Sequence, residues 1–361
     1  MLHLKFKLYG MRLNLLLICF LLVIILFLIF QIIILKDYHN SSNVRLETST
    51  HENKIMKVFI MTRNEWPMIK SNILYHGSIF GFNNIHVIDA STITEQVNFL
   101  RTTRDNLGVN VYFSTANLNK VEDEFNSIMT EEKKYCDFII KIDTDEIICN
   151  YDEVQKLLSV DRLTILSHIN NLVYNGSKYK VGFQALNRVR DNCSDEEDTI
   201  LTASDFSPVF KTKFKTFVPS ISYKHIDIGG HTATISKPYD NSVHIKSNLT
   251  ILHFHFHCFG RYVALFKQAV IRHGHLSGRE TEEEEIVKLE ANPCVQLWKE
   301  IPKKCGCVSC HKVGGYYSSI KNRTYVELDY IQSESRKEGD LTFKDLNYKL
   351  TKLHEIYKWL D

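Results

Sequence analysis

Two aspartates, Asp143 and Asp145, lie one residue apart at the end of a short run rich in β-branched residues, 138–142. Such a run, bounded by charge, is typical of a buried strand. Ligands bind outside the carboxyl ends of strands in an open α/β sheet, so the two carboxylates are expected to face a substrate. Two oxygen ligands at this spacing suit Mg²⁺ or Mn²⁺ carrying a diphosphate. An ordinary turn at a strand end has the same pattern, and that interpretation stays open.

A second candidate cluster lies at 252–259, where histidines alternate with apolar residues. Strict alternation places His253, His255 and His257 on one face of a predicted strand. A single histidine is more often a structural residue, but three on one face, together with two acids, are candidates for a metal site. Both a structural and a metal-binding role are open for them.

The elements that position these residues follow an alternating pattern. The sequence predicts a strand at 57–62, a helix from Pro67 to about Phe80, a strand at 84–89, a helix at 95–107 and a strand at 109–113. This alternation predicts an α/β fold with a mixed, largely parallel central sheet flanked by helices. Asp89, at the end of the second strand, is then expected at the same sheet edge as Asp143 and Asp145.

Residues 211–215 contain three lysines that alternate with other residues, after an apolar stretch that begins at Phe206. The pattern resembles a pair of strands with the lysines on one side. A solvated basic face explains them simply. Alternatively, Lys211, Lys213 or Lys215 offsets phosphate charge near the site.

The N-terminal region contains a long apolar run at 13–35. It is long enough to cross a bilayer as a helix, whereas a cleaved signal peptide would have a shorter apolar core and a small-residue cleavage site. Basic residues precede the run, so the positive-inside rule leaves the N-terminus cytosolic. These features predict a signal-anchor and a single-pass type II membrane protein.

The charge of the chain and its cysteine content indicate which partners and which compartment to expect. The chain has 44 Lys and Arg residues against 42 Asp and Glu residues, which gives no reason to expect nucleic acid as a partner. Eight of the nine cysteines follow the apolar run, an even number that fits disulfides in an oxidising lumen. Cys294, Cys305, Cys307 and Cys310 cluster, and we favour disulfides there over a zinc site.

The order and spacing of several motifs resemble those of the family 2-like glycosyltransferases with the A-type nucleotide-sugar fold, over about residues 57–270. The matching residues are Arg63-Asn64-Glu65, His76, Phe80-Gly81-Phe82, Asp89, Ser91 and Lys141-Ile142-Asp143-Thr144-Asp145-Glu146. The resemblance implies that Arg63, Glu65 and Asp89 contact the nucleotide and that Asp143 and Asp145 hold the metal. The sequence lacks the second acid that is usual in the family a few residues after Asp89.

Two later segments also resemble family features. The spacing from His255 through Tyr262 to Lys267 is similar to a histidine-aromatic segment, which implies that His255 is the third metal ligand, with His253 as the alternative. The sequence 229–232 is similar to a turn that contains a histidine, which implies that His231 lines the acceptor pocket.

An inverting reaction needs a group that takes the acceptor proton, and Asp205 and His231 are the candidates. The resemblance does not decide between inversion and retention.

The composition and the apolar patterns of the sequence divide the chain into five parts. These are a cytosolic tail (1–12), a transmembrane anchor (13–35), a stem (36–55), a glycosyltransferase domain (56–330) and a C-terminal helical tail (331–361). The stem is polar and has no apolar period, which indicates an exposed linker.

Together with the membrane anchor, the resemblance implies a membrane-anchored, metal-dependent glycosyltransferase, hexosyltransferase-like, in the Golgi or another secretory-pathway membrane. Its donor is a UDP- or GDP-linked sugar, its cofactor is Mn²⁺ or Mg²⁺, and its acceptor is a hydroxyl on a glycan or glycoprotein. Two alternatives are a metal-dependent nucleotidyl- or phosphotransferase and a catalytically silent membrane-anchored binding protein. Release of free nucleoside diphosphate from a nucleotide sugar distinguishes the first prediction from both.

Overall fold

The structure is a computed structural model. It describes residues 53–115, 118–152, 154–155, 157–172, 177–181, 184–187, 198–203, 205–209, 215–239, 244–254, 259–300, 308–322, 341–342 and 345–360. The predicted anchor at 13–35 and almost all of the predicted stem lie outside the described residues. Within the described residues, no helix is both long and apolar enough to span a membrane.

The described strands and helices alternate in the first half of the chain, as expected. The strands are β1 (Met56–Thr62), β2 (Ile85–Asp89), β3 (Asn110–Phe113), β4 (Phe138–Asp143), β5 (Glu146–Asp152), β6 (Leu157–Ser159), β7 (Lys178–Lys180), β8 (Gln184–Asn187), β9 (Asp205–Val209), β10 (Thr216–Pro219), β11 (Tyr223–Ile226), β12 (Ala233–Ile235), β13 (His244–Lys246), β14 (Leu249–His253) and β15 (Leu341–Thr342). The helices are α1 (Met68–Phe80), α2 (Thr94–Leu107), α3 (Leu118–Glu132), α4 (Arg162–Asn171), α5 (Thr199–Thr202), α6 (Phe259–Arg272), α7 (Glu282–Glu290), α8 (Pro293–Glu300), α9 (Val308–Asn322) and α10 (Asp345–Ile356).

Seven of the described strands form a first sheet, in the order β13-β7-β10-β4-β1-β2-β3. The pairs β4-β1, β1-β2, β2-β3 and β13-β7 are parallel, and β10 is antiparallel to both of its neighbours. The expected mixed, largely parallel central sheet with flanking helices is therefore confirmed.

The central strands are covered on both faces, which explains their nearly continuous apolar sequences. In β4, Ile140 and Ile142 belong to one buried cluster and Ile139 to another, because side chains alternate across a strand. The first cluster includes the buried apolar side chains of α1, and the second includes Phe125 of α3. The sheet is thus fixed in place by two separate cores.

A second sheet has the order β15-β9-β8-β14-β5-β6. The chain leaves the first sheet after β4 and joins the second at β5, so only Thr144 and Asp145 lie between the two sheets. Strands β9 and β10, expected from the sequence to pair with each other, belong to different sheets. That expectation was wrong because each strand finds a longer-range partner: β9 pairs with β8, and β10 pairs with β4.

Helix α1 shows the predicted start and stop. It follows Pro67 and ends at Gly81, whose φ of 89° suits glycine. Part of the predicted C-terminal tail forms α10, which packs against α1 and buries Leu346, Leu350 and Leu353 in the same core.

Helices α6 to α9 pack together around their own buried cluster. Cys294 of α8 and Cys310 of α9 form a disulfide, as favoured over zinc for this pair. Cys305 and Cys307 lie outside the described residues.

Candidate functional site

Three neighbouring parallel strands, β2, β1 and β4, bring the candidate residues to one sheet edge. Thr62 at the end of β1 pairs with Asp89 at the end of β2, and Met61 pairs with Asp143 at the end of β4. Carboxyl ends of parallel strands are where open α/β sheets bind ligands. The sheet register therefore places Asp89 and Asp143 on either side of β1.

Asp89 is almost fully buried at the β2 end of this edge, with 1% of its surface exposed. Its Oδ1 accepts hydrogen bonds from the Ser91 backbone N–H (3.2 Å), the Ser91 hydroxyl (2.5 Å) and the Gln96 side-chain amide (3.0 Å). Its Oδ2 is buried and has no hydrogen-bond partner among the described residues. Burial raises the pKa of Asp89 above its ordinary value. Asp89 thus keeps one carboxylate oxygen for a further donor.

Gln96 of α2 connects the ends of β1 and β2 and was missed in the sequence. Its buried side-chain amide also donates to the Thr62 hydroxyl (3.0 Å) and the Ser91 hydroxyl (2.7 Å), and its Oε1 accepts the Glu65 backbone N–H (2.8 Å). A glutamine near the start of a helix is not distinctive in sequence. Its role depends on the tertiary position of α2.

The loop after β1 carries the other two residues expected to contact the nucleotide. Arg63 is exposed, and the next residue, Asn64, has a φ of 58°, which asparagine tolerates better than most residues. The Asn64 backbone N–H donates to the Ser91 hydroxyl (2.7 Å), and the Asn64 Oδ1 accepts the Thr92 backbone N–H (2.8 Å). These bonds tie the loop after β1 to the loop after β2.

Glu65 is half-buried, and its Oε2 accepts a hydrogen bond from the Thr62 hydroxyl (3.1 Å). Burial raises the pKa of Glu65 to about 7, and the negative charges of Asp145 and Asp143 add to this effect. The mutual repulsion shows that three carboxylates are gathered at this edge. A cation would relieve it.

Asp143 is held by two buried lysines. Its Oδ1 lies 3.0 Å from the Lys141 ammonium, and its Oδ2 lies 2.6 Å from the Lys215 ammonium. Burial disfavours the charged carboxylate, but Lys141 and Lys215 outweigh burial and lower the pKa of Asp143 to about 2. Of the three lysines singled out in the sequence, Lys215 reaches the site, and Lys211 and Lys213 lie outside the described residues.

Asp145 forms an ion pair with a histidine of the second sheet. The Asp145 Oδ2 lies 3.3 Å from the His253 Nε2, at the end of β14. Burial opposes protonation of His253, but Asp145 outweighs burial and raises the pKa of His253 to about 9. His255, the residue chosen from the sequence as third metal ligand, lies outside the described residues, as does His257.

His231 lies in the loop 227–232, which covers the carboxyl end of β4. Its Nδ1 is buried without a hydrogen-bond partner among the described residues. Burial lowers the pKa of His231, and the Lys215 charge lowers it further. Asp205, the other candidate for the acceptor proton, begins β9 in the second sheet, where β8 and β14 separate it from β5; its side chain is outside the described part of the chain.

Helix α1 holds the turn that carries the acids. The Asn72 side-chain amide donates to the carbonyls of Thr144 (2.8 Å) and Glu146 (2.9 Å). The His76 Nε2 accepts the Ile148 backbone N–H (3.2 Å), while its Nδ1 lies 2.9 Å from the Asn72 carbonyl. These contacts require a neutral imidazole with its proton on Nδ1.

This neutral histidine predicts a pH dependence of stability. Burial lowers the pKa of His76 to about 3, against an ordinary value of 6.5. Below pH 6.5 the unfolded chain therefore binds a proton at His76 that the folded chain does not bind. The free energy of unfolding then decreases by up to about 1.4 kcal/mol for each unit by which the pH is lowered. In urea unfolding, the wild type should lose about 2 kcal/mol more than His76→Gln between about pH 7.5 and about pH 5. If the free energies of unfolding of the two proteins decreased equally over this pH range, His76 would not be the titrating group.

The residues present fit a divalent cation that shares its ligands with a substrate. Mg²⁺ is commonly bound by one or two carboxylates together with substrate phosphates. Asp145 and Asp143 provide two carboxylates, and each oxygen of Asp143 retains a lone pair beside its lysine contact. In the described part of the chain, no three His, Cys, Asp or Glu side chains are arranged as an ion-binding group.

No known family matches the sequence, and no curated protein is similar to it at a significant level. Solved structures show a weak similarity. Residues 1–349 of TarS from S. aureus align with a TM-score of 0.32 and 12% identity over 79% of this chain and 74% of that one, and the same protein in complex with UDP-GlcNAc aligns with a TM-score of 0.31 and 10% identity over the same shares. Mannose-1-phosphate geranyltransferase from Thermus thermophilus aligns with a TM-score of 0.23 and 11% identity, over 46% of this chain and 50% of that one. Similarity at this level does not establish a family, an activity or a ligand for this chain.

Proposed function

We propose that this protein is a glycosyltransferase that moves a sugar from a UDP- or GDP-linked donor to a hydroxyl group. The observation that supports it is the convergence of Glu65, Asp89, Asp143 and Asp145 at the carboxyl ends of β2, β1 and β4. A nucleotide sugar has a base, a ribose, a diphosphate and a sugar in line. It therefore needs polar contacts spread along one edge, which this arrangement provides.

The base is proposed to bind at the β2 end. The free Oδ2 of Asp89 is an acceptor, and uracil and guanine each present an N–H donor on the pairing edge, whereas cytosine and adenine present an acceptor at the corresponding ring nitrogen. Arg63 and Glu65, on the loop tied to Ser91, are proposed to contact the rest of the nucleotide.

The diphosphate is proposed to bind at the β4 end with Mn²⁺ or Mg²⁺. Asp143 and Asp145 would hold the ion, and His255 is proposed as the third ligand. The ion supplies positive charge that stabilises the departing nucleoside diphosphate. Asp143 is already ionised by its two lysines, and Asp145 pairs with His253, whose pKa it raises.

The acceptor proton is proposed to pass to His231. Its lowered pKa leaves the imidazole neutral near pH 7, which is the state that can accept a proton. Asp205 is the alternative base. This assignment applies if the reaction inverts the configuration of the sugar.

The acceptor is proposed to be a glycan or glycoprotein, and the chain is proposed to be anchored by residues 13–35 in the Golgi or another secretory-pathway membrane. The Cys294–Cys310 disulfide supports an oxidising compartment, because cytosolic thiols are generally kept reduced.

A panel of nucleotide sugars, incubated with Mn²⁺ or Mg²⁺, tests the proposal. We expect release of free nucleoside diphosphate from a UDP- or GDP-sugar. Transfer of phosphate or of a nucleotidyl group instead would indicate the nucleotidyl- or phosphotransferase. Binding without any turnover over the whole panel would indicate a silent binding protein.

A shortened chain that begins at Asn53 should keep this activity. The Lys54 backbone N–H donates to the Asn170 Oδ1 (2.8 Å), and the Ile55 backbone N–H donates to the Asp137 carboxylate (2.7 Å), so ordered contacts with the domain start here. Donor hydrolysis by the shortened chain should lie within about 3-fold of the full chain, because the preceding stem has no pattern that could contribute to a core. A well-folded shortened chain without activity would show that the preceding residues belong to the working unit.

A further inference from the structure

Lys215 joins three parts of the site through one ammonium group. The Lys215 Nζ lies 2.6 Å from the Asp143 Oδ2, 2.8 Å from the Glu146 Oε2 and 2.7 Å from the Gly229 carbonyl. A lysine ammonium has three hydrogens to donate, and all three are used. The Lys215 side chain is fully buried, so it does not offer its charge directly to a diphosphate.

The loop 227–232 packs closely against Lys215. Gly230 has a φ of +67°, and a Cβ atom there would lie 2.7 Å from the Lys141 carbonyl and 3.2 Å from the Lys215 Cδ. The Thr216 backbone N–H donates to the Gly230 carbonyl (2.8 Å), and the Thr216 hydroxyl donates to the His231 carbonyl (2.8 Å). The Lys141 ammonium donates to the Ile228 carbonyl.

We infer that Lys215 and its chain neighbour Thr216 act together as positioning residues that set His231 against Asp143 and thereby couple the acceptor side of the site to the donor side. The inference rests on the proposed function, since it gives His231 and Asp143 their roles. Lys215 contacts Asp143 directly. It acts on His231 through Gly229 and through its chain neighbour Thr216.

A purely structural role is the competing explanation. A buried lysine that pairs with two carboxylates stabilises a fold whatever the fold does, and removing it leaves uncompensated buried charge. The two explanations differ in their effects on the catalytic rate and on the affinity for the nucleotide. A positioning residue affects the rate of the chemical step more than the affinity for the nucleotide, because a displacement of about 1 Å can cost about 100-fold in rate.

The experiment uses the full chain and two variants. Lys215→Met removes all three contacts, whereas Thr216→Val removes only the hydroxyl that holds the His231 carbonyl and leaves every charge in place. Thr351→Val, which loses a comparable hydroxyl bond within α10, is the matched control. Affinities for UDP and for GDP, hydrogen exchange of the loop 227–232, and hydrolysis of the UDP- or GDP-sugar that the wild type turns over fastest are measured for each.

We expect loop amides to exchange about 10-fold faster or more in both site variants, with exchange in β1 and β2 unchanged. Hydrolysis should fall by about 10-fold in Thr216→Val and about 100-fold in Lys215→Met, while nucleotide affinity changes by less than about 3-fold. Thr351→Val should match the wild type.

Two results would overturn the inference. One is wild-type hydrolysis and loop exchange in folded Thr216→Val, and this variant alone decides the matter if Lys215→Met does not fold. The other is a loss of nucleotide affinity as large as the loss of rate. Failure of the proposed function gives a different result, because the wild type would then release no nucleoside diphosphate from any UDP- or GDP-sugar, while loop exchange still reports on the contacts of Lys215 and Thr216.

Discussion

Asp145→Asn should abolish donor turnover and leave the fold intact. The amide keeps the size of the carboxylate but loses the charge that a divalent cation and a departing diphosphate require, so a fall of about 1,000-fold or more is expected. The fold should survive because Asp145 is partly exposed and an amide can still accept a hydrogen bond from His253, its ion-pair partner. Donor hydrolysis and Mn²⁺ affinity are measured side by side.

Asp105→Asn provides the matched control, since Asp105 is an exposed carboxylate on α2 that pairs with the neighbouring Arg104. It should retain wild-type activity. Removing the Asp145 charge should also lower the pKa of Glu65, because Asp145 contributes to raising it. Turnover of donor by Asp145→Asn at the wild-type rate would remove Asp145 from the proposed metal site.

The sheet edge that carries these acids could be predicted from sequence because local patterns are sufficient there. Parallel strands buried on both faces have apolar runs that differ from amphipathic helices, and Pro67 and Gly81 mark the ends of α1. Once β1, β2 and β4 are recognised, the rule for parallel strands places Asp89 and Asp143 at one edge. No side-chain contact is needed for that step.

The second sheet could not be predicted in the same way. Strand β5 follows β4 after two residues, yet it pairs with β14 and β6, and β8 and β9 are also joined to it through β14. These strands are short and their partners are far away in sequence, so the tertiary arrangement decides their pairing. The apparent strand pair around Phe206 and Phe217 was therefore divided between two sheets.

The supporting residues were missed for a related reason. Gln96 and Asn72 each satisfy backbone or carboxylate groups that come from distant segments. A buried polar side chain is required wherever such groups would otherwise lack partners, but the sequence does not show which groups meet. The residue type alone therefore does not identify a supporting residue.

The lysines change the interpretation of the Asp-x-Asp motif. The sequence treats Asp143 and Asp145 as equivalent ligands, but Asp143 is neutralised by Lys141 and Lys215, whereas Asp145 pairs with His253. Two adjacent carboxylates thus have different electrostatic surroundings.

Asp89→Asn should change which nucleotide the protein binds. The Asp89 Oδ1 is held by Ser91 and Gln96, so the asparagine oxygen can keep that place and its amide nitrogen then occupies the position of the free Oδ2. A donor replaces an acceptor at that point. An N–H group of uracil or guanine would then meet another N–H group instead of an oxygen.

A hydrogen bond to a charged group contributes about 1.5–3 kcal/mol, so UDP and GDP affinities should each fall by about 10- to 100-fold in Asp89→Asn. CDP, whose ring nitrogen accepts a hydrogen bond, should bind the variant more tightly than it binds the wild type. Calorimetric titration of UDP, GDP and CDP into the wild type, Asp89→Asn and the Asp105→Asn control measures these changes. An equal loss of affinity for all three nucleotides, with the melting temperature of the wild type, would show that Asp89 supports the pocket without a hydrogen bond to the base.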